Sequence, residues 1–397
     1  MNRWDVIVIG AGAIGGAALR SASEVGARVL CIEQHTPAHS RGSSHGHSRI
    51  FRHAYFEHPD YVPLLRHSTA RFESLERESA TSLLQRCGML AVGPPDSEVA
   101  LGSLDSARRW ALPVDALDAA ALRSRFPWFS FADDAIGAFE ANAGIVRPEA
   151  AVDACIRVAR ARGAELRIGS SVRSVVEDAT GVSVETDQGR ERASAVIVAA
   201  GAWTSRLLPE LAPLLTVTRQ VQAWMAPAPG IDASAMPCWL FDRGAGRRSI
   251  YGLAPDPGAP ADASGVPSPS RHPKVGLHGS GDIVGPDTGA APVDDSDIER
   301  LRSAYREFAP SLAGELAGAA TCLYTMSPDG HFLVGTRAGF RRTHFAAGLS
   351  GHGFKLAPAL GDALAELATR GRTELPIGFL SPGRFADGRG AGALTPS

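Results

Sequence analysis

The 397-residue sequence has no long apolar run. Its longest apolar stretches, such as Ala195 to Trp203, fall well short of the roughly 20 residues a membrane-spanning helix needs. Net charge is also nearly absent: 40 basic side chains face 42 acidic ones, so no global field favours nucleic acid or an anionic membrane surface. Cysteine is scarce and scattered. Cys31, Cys87, Cys155, Cys238 and Cys322 are odd in number and form no CxxC pair, which argues against a disulfide framework or a zinc site, and no metal is expected. The N-terminal Met1-Asn2-Arg3 runs straight into Trp4 to Ile9 without the basic, apolar and cleavage-site succession of a secretory signal, so a cytoplasmic protein is expected. With 44% hydrophobic and 21% charged residues, the composition excludes a disordered or fibrous chain, and the length favours two domains.

The first 33 residues say most. Val6 to Ile9 reads as a buried strand, followed by Gly10-Ala11-Gly12-Ala13-Ile14-Gly15, an Ala-rich helix, a second strand from Arg28 to Ile32, and Glu33. Strand, glycine turn, helix, strand and acid, in that order, mark a dinucleotide-binding unit. Gly10 permits the tight turn, Gly12 admits a pyrophosphate close to the backbone, Gly15 lets helix pack on strand, and Glu33 is placed for ribose hydroxyls.

The pattern then changes. Val62 to Glu78 has helical periodicity, and short strands are expected around Met89 to Val92. Pro148 opens a helix that ends before Gly163, followed by a strand at Glu165 to Ile168. Val172 to Val176 and Val182 to Thr186 read as a hairpin, and Ala195 to Ala200 as a buried strand stopping at Gly201-Ala202-Trp203. Alternation from Arg219 to Tyr251 predicts an antiparallel sheet. Pro255 to Pro273, rich in Pro, Gly, Ala and Ser, reads as a mobile loop. Ser296-Asp297-Ile298-Glu299 is the expected capping box of a helix, Thr343 to Ala347 a strand, and Leu360 to Leu367 part of a helix ending at Gly371. Residues 386–397 are expected to form a flexible tail.

Three blocks carry a resemblance: Ser44-His45-Gly46-His47-Ser48-Arg49-Ile50-Phe51-Arg52-His53-Ala54-Tyr55, Cys322-Leu323-Tyr324, and Ser350-Gly351-His352-Gly353-Phe354-Lys355. In this order the chain resembles the monomeric sarcosine oxidase and N-methyltryptophan oxidase family from about residue 4 to about 380. The resemblance implies an α+β fold in which a Rossmann-like FAD-binding domain of discontinuous segments (1–85, 146–216 and 320–385) interleaves with a mixed-sheet substrate domain (86–145 and 217–319). It extends the expected cofactor-binding set to Gly10, Gly12, Ile14, Gly15, Glu33, Ser44, His45, Arg49, Val172, Gly201, Trp203, Cys322, Gly351, Gly353, Phe354 and Lys355. Two departures stand out. The family has an acidic residue where His47 stands, and a short hairpin where this chain inserts Pro255 to Pro273.

By that resemblance, Cys322 joins FAD covalently through sulfur, chemistry that calls for an acidified thiol. Cys31, Cys87, Cys155 and Cys238 read as buried structural cysteines. Arg49 and Arg52, three apart, share a face if the backbone there is helical. The resemblance puts Arg49 over the flavin ring, while Arg52 and Lys355 clamp a substrate carboxylate, which a planar guanidinium suits. Lys274 and His278 alternate on one expected strand. The resemblance places Lys274 beside the flavin as a fixed cation that promotes reaction with dioxygen, with His278 as an electrostatic or hydrogen-bonding partner. Tyr251 and Tyr324 are expected to line the pocket.

The sequence is therefore expected to encode a monomeric FAD oxidase converting a secondary amine acid and O₂ to an imine and hydrogen peroxide. An oxidase or dehydrogenase of a proline- or pipecolate-like ring is the alternative, and peroxide assays against a substrate panel separate the two. A non-catalytic nucleotide sensor is a remote third reading. Such a sensor has no reason to keep Lys274, Arg52, Lys355 and Cys322 together.

Overall fold

The computed structural model describes residues 4–244, 246–258, 268–279, 281–288 and 291–385. Residues 259–267 of the loop expected between Pro255 and Pro273 lie outside the described residues, as does the expected tail, 386–397.

Among the described residues, two large sheets carry the architecture. The first has eight strands. At its centre Trp4–Ile9 runs parallel to Val29–Glu33 on one side and Gly189–Val198 on the other, with Glu165–Ile168 extending one edge in parallel. Thr343–Ala347 joins in parallel beyond Val196, where Gly189–Val198 has released its hairpin partner. The inner strands are almost wholly apolar because helices cover them. Ala13–Glu24, Pro148–Ala161 and Ala357–Arg370 pack there around Val6, Val8, Leu19, Val152, Ile156, Leu360 and Leu364. The last helix stops at Gly371, which takes the left-handed conformation (φ +73) that glycine adopts without strain.

The second sheet has nine strands and is antiparallel except for Cys238–Phe241 against Met89–Gly93. The strands between Arg219 and Tyr251 pair antiparallel, as expected, and the one parallel pair, with a strand distant in sequence, makes the sheet mixed. Two long strands, Thr216–Met225 and Leu316–Met326, pair along most of their length and bring Cys322 opposite Gln220. Lys274–Leu277 pairs with Thr216–Met225 on one side and Ile250–Leu253 on the other, holding Lys274 in register with both Trp224 and Leu253. A second apolar core, including Trp239, Phe241, Leu301 and Tyr305, joins this sheet to the helix Asp295–Phe308.

One local expectation is corrected, and one condition is not met. The capping box is formed by Asp294 and Asp297 rather than Ser296 and Glu299: Asp294 accepts from Asp297 N at 2.9 Å, and Asp297 accepts from Asp294 N at 3.3 Å. A pair of short aspartates satisfies the same geometry as Ser and Glu. Arg49–Phe51 is a strand, not a helical turn, paired with Gly144–Val146 in a small third sheet.

The ends of the inserted segment are anchored. Asp256 is buried and bidentate to Arg147 (2.6 and 2.8 Å), and its N–H donates to Ser270 O at 2.7 Å. No helix of the described residues is long and apolar enough to cross a membrane.

Candidate active site

One cavity of about 380 Å³ runs from the glycine turn to the face of the second sheet. At its first end the wall is mostly backbone. Gly10 has φ +95, and a Cβ there would lie 2.6 Å from Ala199 O, so no other residue fits without displacing main chain. Ser44 Oγ accepts from Ala13 N (3.1 Å) in the first turn of the helix. Glu33 is buried and accepts from Ala11 N (2.7 Å) and His35 N (2.8 Å), which fixes its carboxylate beside the turn. Gly12, Ile14, Val172, Gly201, Trp203, Gly353 and Phe354 also line the cavity. Two expected contacts do not. Gly15 packs behind the turn, where a Cβ would meet Gly10 O, and His45 is buried off the cavity wall with Nε2 unpartnered. Burial lowers the His45 pKa to about 4.

The other end is built from charged side chains. Lys274, 2% exposed, donates from Nζ to Gly46 O (3.0 Å) and to Ser48 O. Burial, reinforced by Arg49, pushes it well below the ordinary lysine range, while Glu149 opposes this. Desolvation thus opposes the fixed cation expected at Lys274, and an anion beside it would favour its proton. Glu149 braces the same loop by accepting from Gly46 N (2.6 Å) and His47 N (3.0 Å). Arg49 donates to Ser48 O and Ser43 O, both at 2.8 Å, and lines the cavity despite its extended backbone. Cys322 is buried, and burial raises its thiol while Arg49 and Lys274 pull the other way. The acidified thiol expected from sequence is thus not what burial alone produces. Arg49 and Lys274 oppose burial without overcoming it, so the thiol stays above its ordinary value.

Arg52 is not free. Its Nη2 reaches both oxygens of Glu57 (2.8 and 2.7 Å), its Nη1 donates to Ala54 O (2.6 Å), and its guanidinium lies 4.4 Å over the Tyr55 ring. Glu57 pays for burial, but Arg52, His352 and Lys355 outweigh that and hold its pKa at about 2. Lys355 sits in the turn Phe354–Leu356 ahead of the last helix and donates to His352 O at 2.9 Å. Burial, then Arg52, lowers its pKa to about 7, with Glu57 opposing. Burial also lowers His278 to about 4 and His352 to about 3, so both imidazoles are neutral near pH 7. Tyr251 and Tyr324 are hydrogen-bonded to each other, raised by burial, and flank His278 with ring centroids at 6.5 and 6.3 Å. Gly351 gives Tyr324 its room, since a Cβ there would lie 2.2 Å from the ring.

Sequence reasoning missed Glu57, Gln222 and His352, all of which line this cavity, and Glu140 behind it. Glu140 accepts from His53 N and Ala54 N, each at 2.9 Å, and lies 2.8 Å from His53 Nδ1, so it holds the segment between Arg52 and Glu57. Only the proximity of Glu57 to Arg52 in sequence offered a signal. Among the described residues, no group of three or more His, Cys, Asp or Glu could hold a metal ion.

The model of the FAD dependent oxidoreductase family matches residues 5–367. This chain belongs to that family. As an FAD-dependent oxidoreductase it is similar to the monomeric sarcosine oxidase of Streptomyces avermitilis, at 36% identity over 96% of this chain and 98% of the relative. It is also 35% identical to the N-methyl-L-tryptophan oxidase of Salmonella newport, over 97% of this chain and 99% of the relative. Among solved structures it is similar to the open form of NikD, an unusual amino acid oxidase essential for nikkomycin biosynthesis (TM-score 0.81, 26% identity, 96% of this chain and 98% of that one). L-proline dehydrogenase from P. horikoshii shares the fold at 20% identity and TM-score 0.80, over 98% of this chain and 99% of that one. The family likeness expected from the three sequence blocks and the α+β fold both hold. The residues present fit FAD: the Gly10 cradle is one a Cβ would fill, the N-terminal turn of the helix faces the cavity, and Glu33 stands beside it.

Proposed function

We propose that this flavoenzyme oxidises the C–N bond of a secondary amine acid, with dioxygen as acceptor. The observation that carries the reading is the meeting, on one cavity, of a carboxylate-binding pair (Arg52 and Lys355) with a lysine and a cysteine (Lys274 and Cys322) beside the nucleotide end. Bound FAD would supply a hydride acceptor for the carbon next to nitrogen and a route for the electrons to dioxygen, released as hydrogen peroxide. The proposed division at 1–85, 146–216 and 320–385 against 86–145 and 217–319 gives the nucleotide end, Arg52, Tyr324 and Lys355 to the first part and Tyr251, Lys274 and His278 to the second.

Arg52 and Lys355 orient the substrate through its carboxylate. The carboxylate must compete with Glu57, which already occupies the Arg52 guanidinium. Neutral His278 and the paired phenols of Tyr251 and Tyr324 add no charge, so the amine is bound in its neutral form with its lone pair free to expel hydride. Lys274 holds a proton at Nζ beside the negative charge that develops on dioxygen, which restores what burial takes from it. Cys322 is the proposed point of covalent attachment to FAD, with Arg49 and Lys274 opposing the rise that burial imposes on its thiol.

Peroxide release is the test. N-methyl amino acids should give stoichiometric peroxide and anaerobic bleaching of the flavin, whereas amines without a carboxylate should give little of either. Bleaching without peroxide in air would make the protein a dehydrogenase, and preferential turnover of proline or pipecolate would move the substrate class to cyclic imino acids. For attachment, acid-precipitated wild type should keep its yellow colour in the pellet, and Cys322→Ser should lose it to the supernatant. Colour retained in the variant would place the link elsewhere.

A further inference from the structure

The parallel pair in the second sheet brings two other cysteines together. Cys238, the first residue of Cys238–Phe241, is in register with Met89, and its N–H donates to Gly88 O at 3.0 Å. Gly88 takes φ +83, which turns the chain so that Cys87 comes back over this corner. The Cys87 and Cys238 sulfurs lie 3.9 Å apart, both as free thiols. Disulfide length is about 2.05 Å, so closure needs about 2 Å of approach, within what side-chain rotation and small backbone shifts supply.

The two thiols are unequal. Cys87 is partly exposed, and its hydrogen bond with Cys238 lowers its pKa from the ordinary thiol value. Cys238 is fully buried, and burial pushes it well up. Burial likewise holds Cys31 and Cys155 protonated, Cys155 at about 12. Neither forms a sulfur pair, and the chemistry proposed above uses neither Cys87 nor Cys238.

We propose that Cys87 and Cys238 are a peroxide-oxidisable dithiol that closes to a disulfide. The Cys87 thiolate attacks one oxygen of hydrogen peroxide: an S–O bond forms, the O–O bond breaks, and the departing hydroxide takes a proton to become water. The Cys238 sulfur then attacks the Cys87 sulfenic acid. The S–S bond forms, the S–O bond breaks, and water leaves with the Cys238 proton, so two thiols are oxidised as one peroxide is reduced. Met89 and Leu240, on the strands so joined, line the cavity, and the link ties the wall they form at its corner. The source of peroxide in turnover rests on the oxidase reading. The dithiol itself does not.

The experiment uses reduced, desalted holoenzyme treated with added hydrogen peroxide in the absence of substrate, then denatured in excess iodoacetamide and digested without reduction. Mass spectrometry should find a Cys87–Cys238 peptide about 2 Da lighter than its two halves, abolished by dithiothreitol. Cys238→Ser should instead trap Cys87 as a dimedone-reactive sulfenic acid, and Cys87→Ser should leave Cys238 alkylated. No linked peptide in wild type, or passage of Cys87 to sulfinic acid equally in wild type and Cys238→Ser, would overturn the proposal. A second arm replaces added peroxide with amine substrate and air, with and without catalase. Linkage by added peroxide alone, in a turnover mixture that makes no peroxide, upholds the dithiol and counts against the oxidase reading. A turnover mixture rich in peroxide with no linkage in either arm does the reverse.

Discussion

The two ends of the cavity are made of different material. At the nucleotide end the groups that matter are main-chain atoms and a glycine with a positive φ: Gly10 at φ +95, Ala11 N held by Glu33, and Ala13 N held by Ser44. At the reaction end they are charged side chains from segments far apart in the chain, Arg49, Arg52 and Glu57 against Lys274 and Lys355. The first end is held by hydrogen bonds to main-chain N–H groups. The second is a set of buried charges whose protonation depends on one another, with Lys355 at about 7 and Glu57 at about 2. Binding of the cofactor and tuning of its chemistry are thereby separable.

Mutation can break that contrast. The largest effect is expected at Gly10. Gly10→Val forces a side chain against Ala199 O in a left-handed backbone, with a cost on the order of 3 kcal/mol or more, and the purified variant should contain no flavin by absorbance. Next comes Lys274→Met, which removes the Nζ proton while roughly keeping length. Reoxidation of the reduced enzyme by dioxygen, followed by stopped flow, should slow on the order of 10²-fold, while anaerobic reduction by the amine changes far less. Collapse of reduction with unchanged reoxidation would make Lys274 a substrate ligand.

Arg52→Gln should weaken carboxylate ligands by roughly 1.5 to 3 kcal/mol and leave amines without a carboxylate almost untouched. Glu57→Gln sharpens the point. It removes the competitor for the guanidinium, so simple carboxylates should bind more tightly, as read by titration of the flavin spectrum. The smallest effect is a change of shape. The Lys355 pKa is lowered to about 7, so its ammonium is present below that pH and lost above it. Affinity for a simple carboxylate such as propanoate should fall as pH rises through about 7, and Lys355→Met should flatten that limb. An unchanged slope in the variant would assign it to another group. The stability sign at Glu57 is opposite in sense: its depressed pKa stabilises the fold above the ordinary carboxylate range, and that contribution is lost as pH falls toward about 2.

What could be read from sequence divides along the same line. The glycine turn and its flanking strands were legible because a backbone conformation imposes residue types at fixed spacing, and the helices at Val62–Ser79 and Pro148–Ala161 followed from periodicity. The convergence of Arg49, Arg52, Lys274, Cys322 and Lys355 on one cavity was expected only through family resemblance, since no local pattern links residues hundreds of positions apart. Glu57 stayed hidden because it meets Arg52 across an irregular five-residue stretch with no period, and that stretch is itself held by Glu140 from a different sheet. The condition under which Arg49 and Arg52 would share a helical face is not met. Pairing with Gly144–Val146 made the segment extended, and tertiary contact overrode local preference. The lowered pKa of Lys274 could not be read at all, because desolvation depends on what folds around a residue.

The anchoring of the inserted segment makes it a replaceable part. Asp256 and Ser270 are tied together at its base, and the ladder that puts Lys274 beside Leu253 lies outside that knot. Evolution, or an engineer, can therefore lengthen, shorten or exchange the chain between residues 258 and 268 without moving the lysine that the dioxygen chemistry is proposed to need.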